Sequence, residues 1–205
     1  MNAILTDKYR EEYKPVIQEL FKHCPEMMSR KLELANVQQA HTFAKTREFA
    51  NMQSNILCVG SFEDTAAETL IELGYNVVGI DPALNMDLTT FFNKTKEKFD
   101  VIFSTSVIEH VPNDEQFIDQ ICKLLAPGGY GVLTCDFRND YKEGDPKPGE
   151  DQRLYTKQDL LVRLYAVLID NNCFLEGTPD YDYPPDFWYG HFNYSFATYT
   201  FRKHG

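Results

Sequence analysis

The 205-residue sequence predicts an α/β domain with a mostly parallel sheet covered by helices on both faces, a helical cap before it and an antiparallel strand at its end. Three observations carry this. From Asn55 onward, short apolar runs alternate with segments of helical composition, the order that builds a parallel sheet through crossover connections. Most of those runs are apolar throughout, so both faces of their strands are expected to be covered. A content of 43% apolar and 25% charged residues is ordinary for a globular chain, and the length suits one domain, residues 1–205, with a full core.

The elements follow in order. Residues 1–53 are expected to form the helical cap, with Val16, Ile17, Leu20 and Phe21 at helix spacing and breaks at Pro15 and Pro25. Such a cap either packs on the sheet or closes over a site as a lid. The core then spans 54–205. Residues 56–59 form a first strand ending at Gly60. The helical segment 63–73 puts Ala66, Leu70 and Leu73 on one face and stops at Gly74. Residues 77–80 are a second strand closed by Asp81-Pro82, and 99–103 a third. A helix over 117–125 is stopped by Pro127-Gly128-Gly129; a strand over 130–135 and a helix over 158–169 follow. Residues 193–201 alternate aromatic and small side chains and read as the last strand. Residues 180–191, rich in Pro, Asp and aromatics, read as neither helix nor strand.

Composition excludes several partners. At a formal net charge of −11 the chain is repelled by phosphate backbones, so no nucleic-acid partner is expected. The densest basic cluster, Lys94, Lys96 and Lys98, reads as a solvated helix face. No apolar run reaches the roughly 18 residues of a spanning helix, so no membrane insertion is expected. The first residues lack the apolar stretch of an export signal, which points to the cytoplasm. The five cysteines include no Cys-x-x-Cys pair; Cys58 and Cys135 sit in apolar runs and read as buried thiols of a reducing compartment. Oligomeric state is not readable.

Open parallel sheets bind ligands beyond the carboxyl ends of their strands. The turn there is Gly60-Ser61-Phe62-Glu63-Asp64. A dinucleotide fingerprint needs Gly-x-Gly-x-x-Gly so that bare backbone meets a pyrophosphate. Only the first glycine is present, Phe62 blocks close approach, and Glu63 and Asp64 repel phosphate. An adenosine cofactor without phosphates, carrying a positive sulfonium, fits better than NAD. Asp81, about twenty residues past Gly60, stands where a carboxylate accepts hydrogen bonds from both ribose hydroxyls. The alternative is an ordinary Asp-Pro turn.

In these pieces the chain resembles the class I S-adenosylmethionine (SAM)-dependent methyltransferases. The resemblance runs through Ile56-Leu57-Cys58-Val59-Gly60, Gly79-Ile80-Asp81, Asp87-Leu88, the stretch from Phe99 to Val111 that includes Ser104-Thr105-Ser106 and Glu109-His110, and Leu124-Leu125-Ala126-Pro127-Gly128-Gly129. It implies a Rossmann-like, doubly wound, mostly parallel seven-stranded sheet with an antiparallel last strand. The implied cofactor is SAM, leaving as S-adenosylhomocysteine. Gly60, Ser61, Phe62, Asp64, Asp81, Pro82, Asp87, Leu88, Ser104, Thr105 and Ser106 are then its binding residues. The chain departs from the family at Cys58, where an acid is usual, and at Phe62 and Asp64, where glycines are usual. The variant 58–64 turn, with Asp186-Phe187-Trp188-Tyr189-Gly190, is similar to a subgroup tied to surface-polysaccharide synthesis.

Methyl transfer is an in-line displacement, and a hydroxyl acceptor gains from a base. His110 is the leading candidate base; Glu109 orients it or faces the methionine amine, and Asp136 ends a strand at the ligand edge. For His110 the alternative is a structural bond that shapes its loop. Relatives with a Glu-His pair that bind a divalent ion carry another Glu three residues earlier; Ser106 stands there, so no metal is expected. The long 140–150 insertion and the aromatics Tyr181, Tyr183, Phe187, Trp188 and Tyr189 are candidates for acceptor contact or for plain packing. The expected reaction is methyl transfer to a small-molecule acceptor, a sugar or glycan-precursor hydroxyl. The competing readings are an NAD-dependent oxidoreductase or epimerase, and a non-catalytic SAM-binding relative.

Overall fold

The computed structural model describes residues 2–149 and 152–205. Helices α1 (Asp7–Glu12), α2 (Lys14–His23) and α3 (Pro25–Arg30) lead through the 3-10 turn Glu33–Ala35 into α4 (Asn36–Phe49). The sheet region runs β1 (Asn55–Val59), α5 (Thr65–Glu72), β2 (Asn76–Ile80), α6 (Leu88–Lys94), β3 (Phe99–Thr105), α7 (Asp114–Leu124), β4 (Leu125–Phe137), α8 (Leu164–Asp170), β5 (Cys173–Leu175), β6 (Phe187–Tyr189) and β7 (Phe192–Lys203). The seven strands lie in the order β2-β1-β3-β4-β7-β5, with β6 paired to β7. Strands β1 to β4 are parallel, and β7 runs antiparallel to both β4 and β5, as expected of the last strand.

The continuous apolar runs are explained by burial on both faces. Alternate side chains of a strand point to opposite sides. Ile56, Cys58, Val101, Phe103 and Val132 pack with Leu20 of α2, Phe43 of α4 and Ala66 and Leu70 of α5. Leu57, Val59, Ile102, Leu133 and Cys135 pack against Ile118 and Ile121 of α7 and Leu164 and Leu168 of α8. Because β1 lies between β2 and β3, the chain leaves it in one direction and returns on the other side. The crevice at the carboxyl end of β1 is therefore the topological switch point.

Four expectations change. The cap is not helical from its start: residues 2–5 are extended and buried, with Ala3 and Ile4 bridged to Asp180 and Ala197. The side chain of Asn2 replaces a strand partner by donating to the carbonyls of Glu176 and Thr200 and accepting from the Thr200 amide. Second, α5 starts at Thr65 because Asp64 caps it, its Oδ1 accepting from the Ala67 amide at 2.8 Å. Third, residues 187–189 form a hairpin strand, because Phe187 is buried against Tyr194 and Phe196. Fourth, α6 ends at Lys94, so Lys96 and Lys98 are not on a helix face.

The 138–158 connection is tied down by Tyr155. Its buried hydroxyl donates to the Ile108 carbonyl and to Asp114, which also pairs with Arg153 and Arg163. Burial pushes the Asp114 carboxyl up, but the two guanidiniums outweigh this and hold it below its ordinary value. This network locks the start of α7 to the start of α8, beside the carboxyl ends of β3 and β4.

Candidate active site

Gly60 sits at the switch point with φ +85°, its amide and that of Ser61 donating to the Ile80 carbonyl. A Cβ there would lie 2.3 Å from Val107 Cγ2, so glycine is required by both conformation and space. Gly60, Asp81 and Val107 separate two cavities while lining both, one of about 350 Å³ and one of about 360 Å³.

The first cavity is lined mainly by apolar groups from Pro82, Leu88, Val107 and Phe117, with Asp81, Asp87, Asn113 and Gln116 supplying polar ones. Asp87 caps α6, its Oδ1 accepting from the Thr90 amide at 2.7 Å, which holds its carboxyl below the usual range. Asp81 is fixed from both sides: Oδ2 accepts from the Phe62 amide and Oδ1 from the Ala83 amide. Each oxygen keeps a further acceptor position, which suits a pair of ribose hydroxyls.

The second cavity is walled by the cap on one side and the Gly60 turn on the other. Lys31, Leu32, Gln38 and Gln39 face Phe62, Asp64, Thr105 and Ser106. The cap thus both packs on the sheet and forms a wall of the site, as Thr42 on α4 bonds the Thr105 hydroxyl at 2.9 Å. Two expected binding residues are elsewhere. Ser104 is buried, its hydroxyl donating to the Val59 carbonyl, and so ties β3 to β1. Ser61 packs over Gly79, within 3 Å of where a Cβ would stand there.

The acid–base candidates separate sharply. His110 is exposed and lines neither cavity. Glu109 beside it also lines neither cavity but is buried, its Oε1 accepting from Ser106 Oγ at 2.6 Å and its Oε2 without a hydrogen-bond partner among the described residues. Ser106, at φ +56°, is a strained residue on the wall of the second cavity. Burial pushes the Glu109 carboxyl up to about 7. Asp136 is buried as well and receives a hydrogen bond from Gln152. Burial, and then the Glu109 charge, push it well above the usual carboxylate range. Both carboxyls are thus pushed toward their neutral forms, chiefly by burial.

A family model described as a methyltransferase domain matches residues 7–168. The chain belongs to the methyltransferase domain family. Among curated proteins, it is 30% identical over 105 residues to the mitochondrial ubiquinone biosynthesis O-methyltransferase of Dictyostelium discoideum, covering 37% of this chain and 33% of that protein. The corresponding rat protein is 31% identical over 102 residues, covering 38% and 30%. The chain spans about a third of the length of the curated relatives it matches. Among solved structures, a SAM-dependent methyltransferase from Methanosarcina mazei superposes with TM-score 0.55 at 17% identity, covering 78% of this chain and 97% of that one. The 1,6-didemethyltoxoflavin N1-methyltransferase of Burkholderia thailandensis, solved with S-adenosylhomocysteine, does so with TM-score 0.54 at 13% identity, covering 95% and 90%. These structures share the Rossmann-like methyltransferase fold. None of these relatives carries a sugar or glycan in its name, so the polysaccharide association of the 58–64 turn gains no support from them.

The cofactor of this methyltransferase family, SAM, fits the residues present. Among the described residues no lysine or arginine lines the first cavity, so a pyrophosphate finds no cation there, whereas Asp81 suits a ribose. The buried Oδ2 of Asp64 on the second cavity, without a hydrogen-bond partner among the described residues, suits a cation. The family match also removes the NAD-dependent reading.

Sequence reasoning missed Val107, Gln38, Gln39, Gln116 and Gln152. Gln38 and Gln39 carried one signal: they lie in a helix with no clear apolar stripe, which points to burial on several sides.

Proposed function

We propose that this methyltransferase domain transfers the methyl of SAM to a hydroxyl of a small-molecule acceptor, with Glu109 taking the acceptor's proton by way of the Ser106 hydroxyl. The observation that carries this is the buried Glu109 carboxyl, hydrogen-bonded to Ser106 on the wall of the second cavity, with one oxygen unpartnered among the described residues and its titration pushed up to about 7 by burial. Bound in the two cavities, SAM supplies an activated methyl on a positive sulfonium. The protein's share is alignment and proton removal. Asp81 and Asp87 fix the nucleoside end, while the Gly60 turn and Thr105-Ser106 wall in the reacting end. Glu109 is poised where a base works best, with a carboxyl titrating close to working pH. The Glu109 charge in turn helps push the Asp136 carboxyl up, and Gln152 holds Asp136 in place.

Neither Glu109 nor His110 lines either of the two cavities, but the Ser106 hydroxyl on the wall of the second cavity donates to Glu109 and links it to that space, whereas His110 is exposed to solvent; this link is why Glu109 is assigned the base. The hydroxyl acceptor is supported by this base and by the O-methyltransferase names of the curated relatives. A sugar hydroxyl is a second reading, supported by the Asp186–aromatic ending; Trp188 and Tyr189 are exposed at the hairpin tip and Tyr183 is exposed before it. The compartment we assign is the cytoplasm, on the five unpaired cysteines. Among the described residues no helix is long and apolar enough to cross a membrane. The test is methyl transfer from labelled SAM to a panel of phenolic, sugar and amine acceptors, with wild type and Glu109→Gln side by side. Turnover of a hydroxyl acceptor that collapses in the variant supports the proposal. Turnover confined to amines, or unaffected by the substitution, overturns it; SAM binding with no turnover on any class supports a non-catalytic relative.

A further inference from the structure

The second cavity carries opposite charges on facing walls. Asp64 is buried, uses Oδ1 to cap α5, and presents an Oδ2 with no partner at hydrogen-bond distance among the described residues; burial pushes its carboxyl up, against the pull of the Ala67 amide, nearby Thr105 and Gln39, and the Lys31 charge. Capping does not require this: asparagine and serine cap as well without a charge. A buried carboxylate oxygen with no partner costs free energy that folding does not return. Its neighbour Glu63 is already neutralised, paired with Arg30 at 2.7 Å on the rim. Lys31, half-buried at the end of α3, lines the same cavity and forms no ion pair among the described residues. Cys58, at the position where an acid is usual, is fully buried on the α5 face of the sheet, so the strand end supplies no carboxylate. Asp64 lies close enough that its charge, after burial, is the next cause raising the Cys58 thiol.

We propose that Asp64 and Lys31 form a clamp for an amino-acid zwitterion, Asp64 accepting the α-ammonium and Lys31 donating to the α-carboxylate of the cofactor's methionine end. This rests on the SAM reading above and goes beyond it. In this chain the carboxylate has moved from the strand end to the helix cap, and the cap segment supplies the cation. The nucleoside half needs neither residue, since Asp81, Gly60 and the first cavity hold it.

The test compares S-adenosylhomocysteine with 5′-methylthioadenosine, which keeps the nucleoside and thioether but lacks the amino acid, by calorimetry on the full chain. Asp64→Asn keeps the cap. It is expected to weaken S-adenosylhomocysteine by roughly tenfold to a hundredfold, the loss of one charge-assisted hydrogen bond, and to leave methylthioadenosine unchanged. Without ligand, Asp64→Asn is expected to melt higher than wild type, because a buried charge is gone. Lys31→Met, on a half-exposed side chain, serves if Asp64→Asn does not fold, and is expected to show the same selective weakening. Equal weakening of both ligands, or no weakening of either, overturns the clamp. Failure of both ligands to bind wild type overturns the cofactor reading itself.

Discussion

At the scale of single residues, Glu109 makes opposite demands on stability and function. Its carboxyl moves from an ordinary 4.5 to about 7 in the folded protein, chiefly through burial. A base must be ionised to act, so turnover is expected to rise with pH through about 7 and level above it. Glu109→Gln is expected to lower kcat by about 10²–10⁴ with little change in SAM affinity. Stability has the reverse sign. Below about pH 4.5 the group is protonated folded and unfolded; between 4.5 and 7 only the unfolded chain ionises freely, so stability falls as pH rises and is flat above. Melting temperatures should therefore show Glu109→Gln stabilised relative to wild type, more at pH 8 than at pH 5. His110→Ala, on an exposed side chain outside both cavities, is expected to keep near-native turnover. A collapse of kcat in that variant would return the base to His110. Asp81→Ala should weaken SAM by about 1–3 kcal/mol, the scale of charge-assisted hydrogen bonds, read by calorimetry on folded protein.

At the scale of elements, the β1–α5 turn depends on one contact that can be broken and mended. Gly60→Ala puts a methyl against Val107 at a φ of +85° and is expected to abolish SAM binding. Adding Val107→Ala relieves the clash but not the conformation, so binding should return only in part; full loss with no rescue would show that conformation alone matters. The extended 2–5 segment is held through Asn2, whose side chain satisfies the Thr200 amide and two carbonyls. Asn2→Ala is expected to cost about 1–3 kcal/mol for the groups left unpaired, seen as a lower denaturation midpoint. These two elements also mark what was legible beforehand. The strands were readable because Ile56–Val59-type runs are apolar on both faces, and Gly60, Asp81 and Asp87 because turn and cap chemistry leaves a local signature. Residues 2–5 were not: Ala3, Ile4 and Leu5 are as apolar as a helix face, and their strand character comes from β7, nearly 200 residues away. Likewise Ser104 looked like a site residue by position, yet its hydroxyl is spent on the Val59 carbonyl, a contact between strands that no local pattern encodes. Glu109 and His110 are adjacent in sequence, and only the packing of β4 and the 152–155 segment decides that the first is buried and the second exposed.

At the scale of the whole molecule, the sheet brings two cavities to one switch point and the cap closes the second of them. Metal dependence is a global property that follows from local residues: by the resemblance read in the sequence, Ser106 stands where a metal-binding relative would carry an acid, and a serine hydroxyl is a weaker ligand for a hard cation. Turnover is expected to survive EDTA; a chelator-sensitive rate restored by Mg²⁺ would contradict this. The central claim, that this methyltransferase domain takes an adenosine cofactor with an amino-acid tail and no phosphates, is tested most directly by calorimetric titration of the pure protein with S-adenosylhomocysteine and with NAD. The expected result is saturable, one-to-one binding of S-adenosylhomocysteine at micromolar concentration and none of NAD. Binding of NAD in preference to S-adenosylhomocysteine would contradict the account.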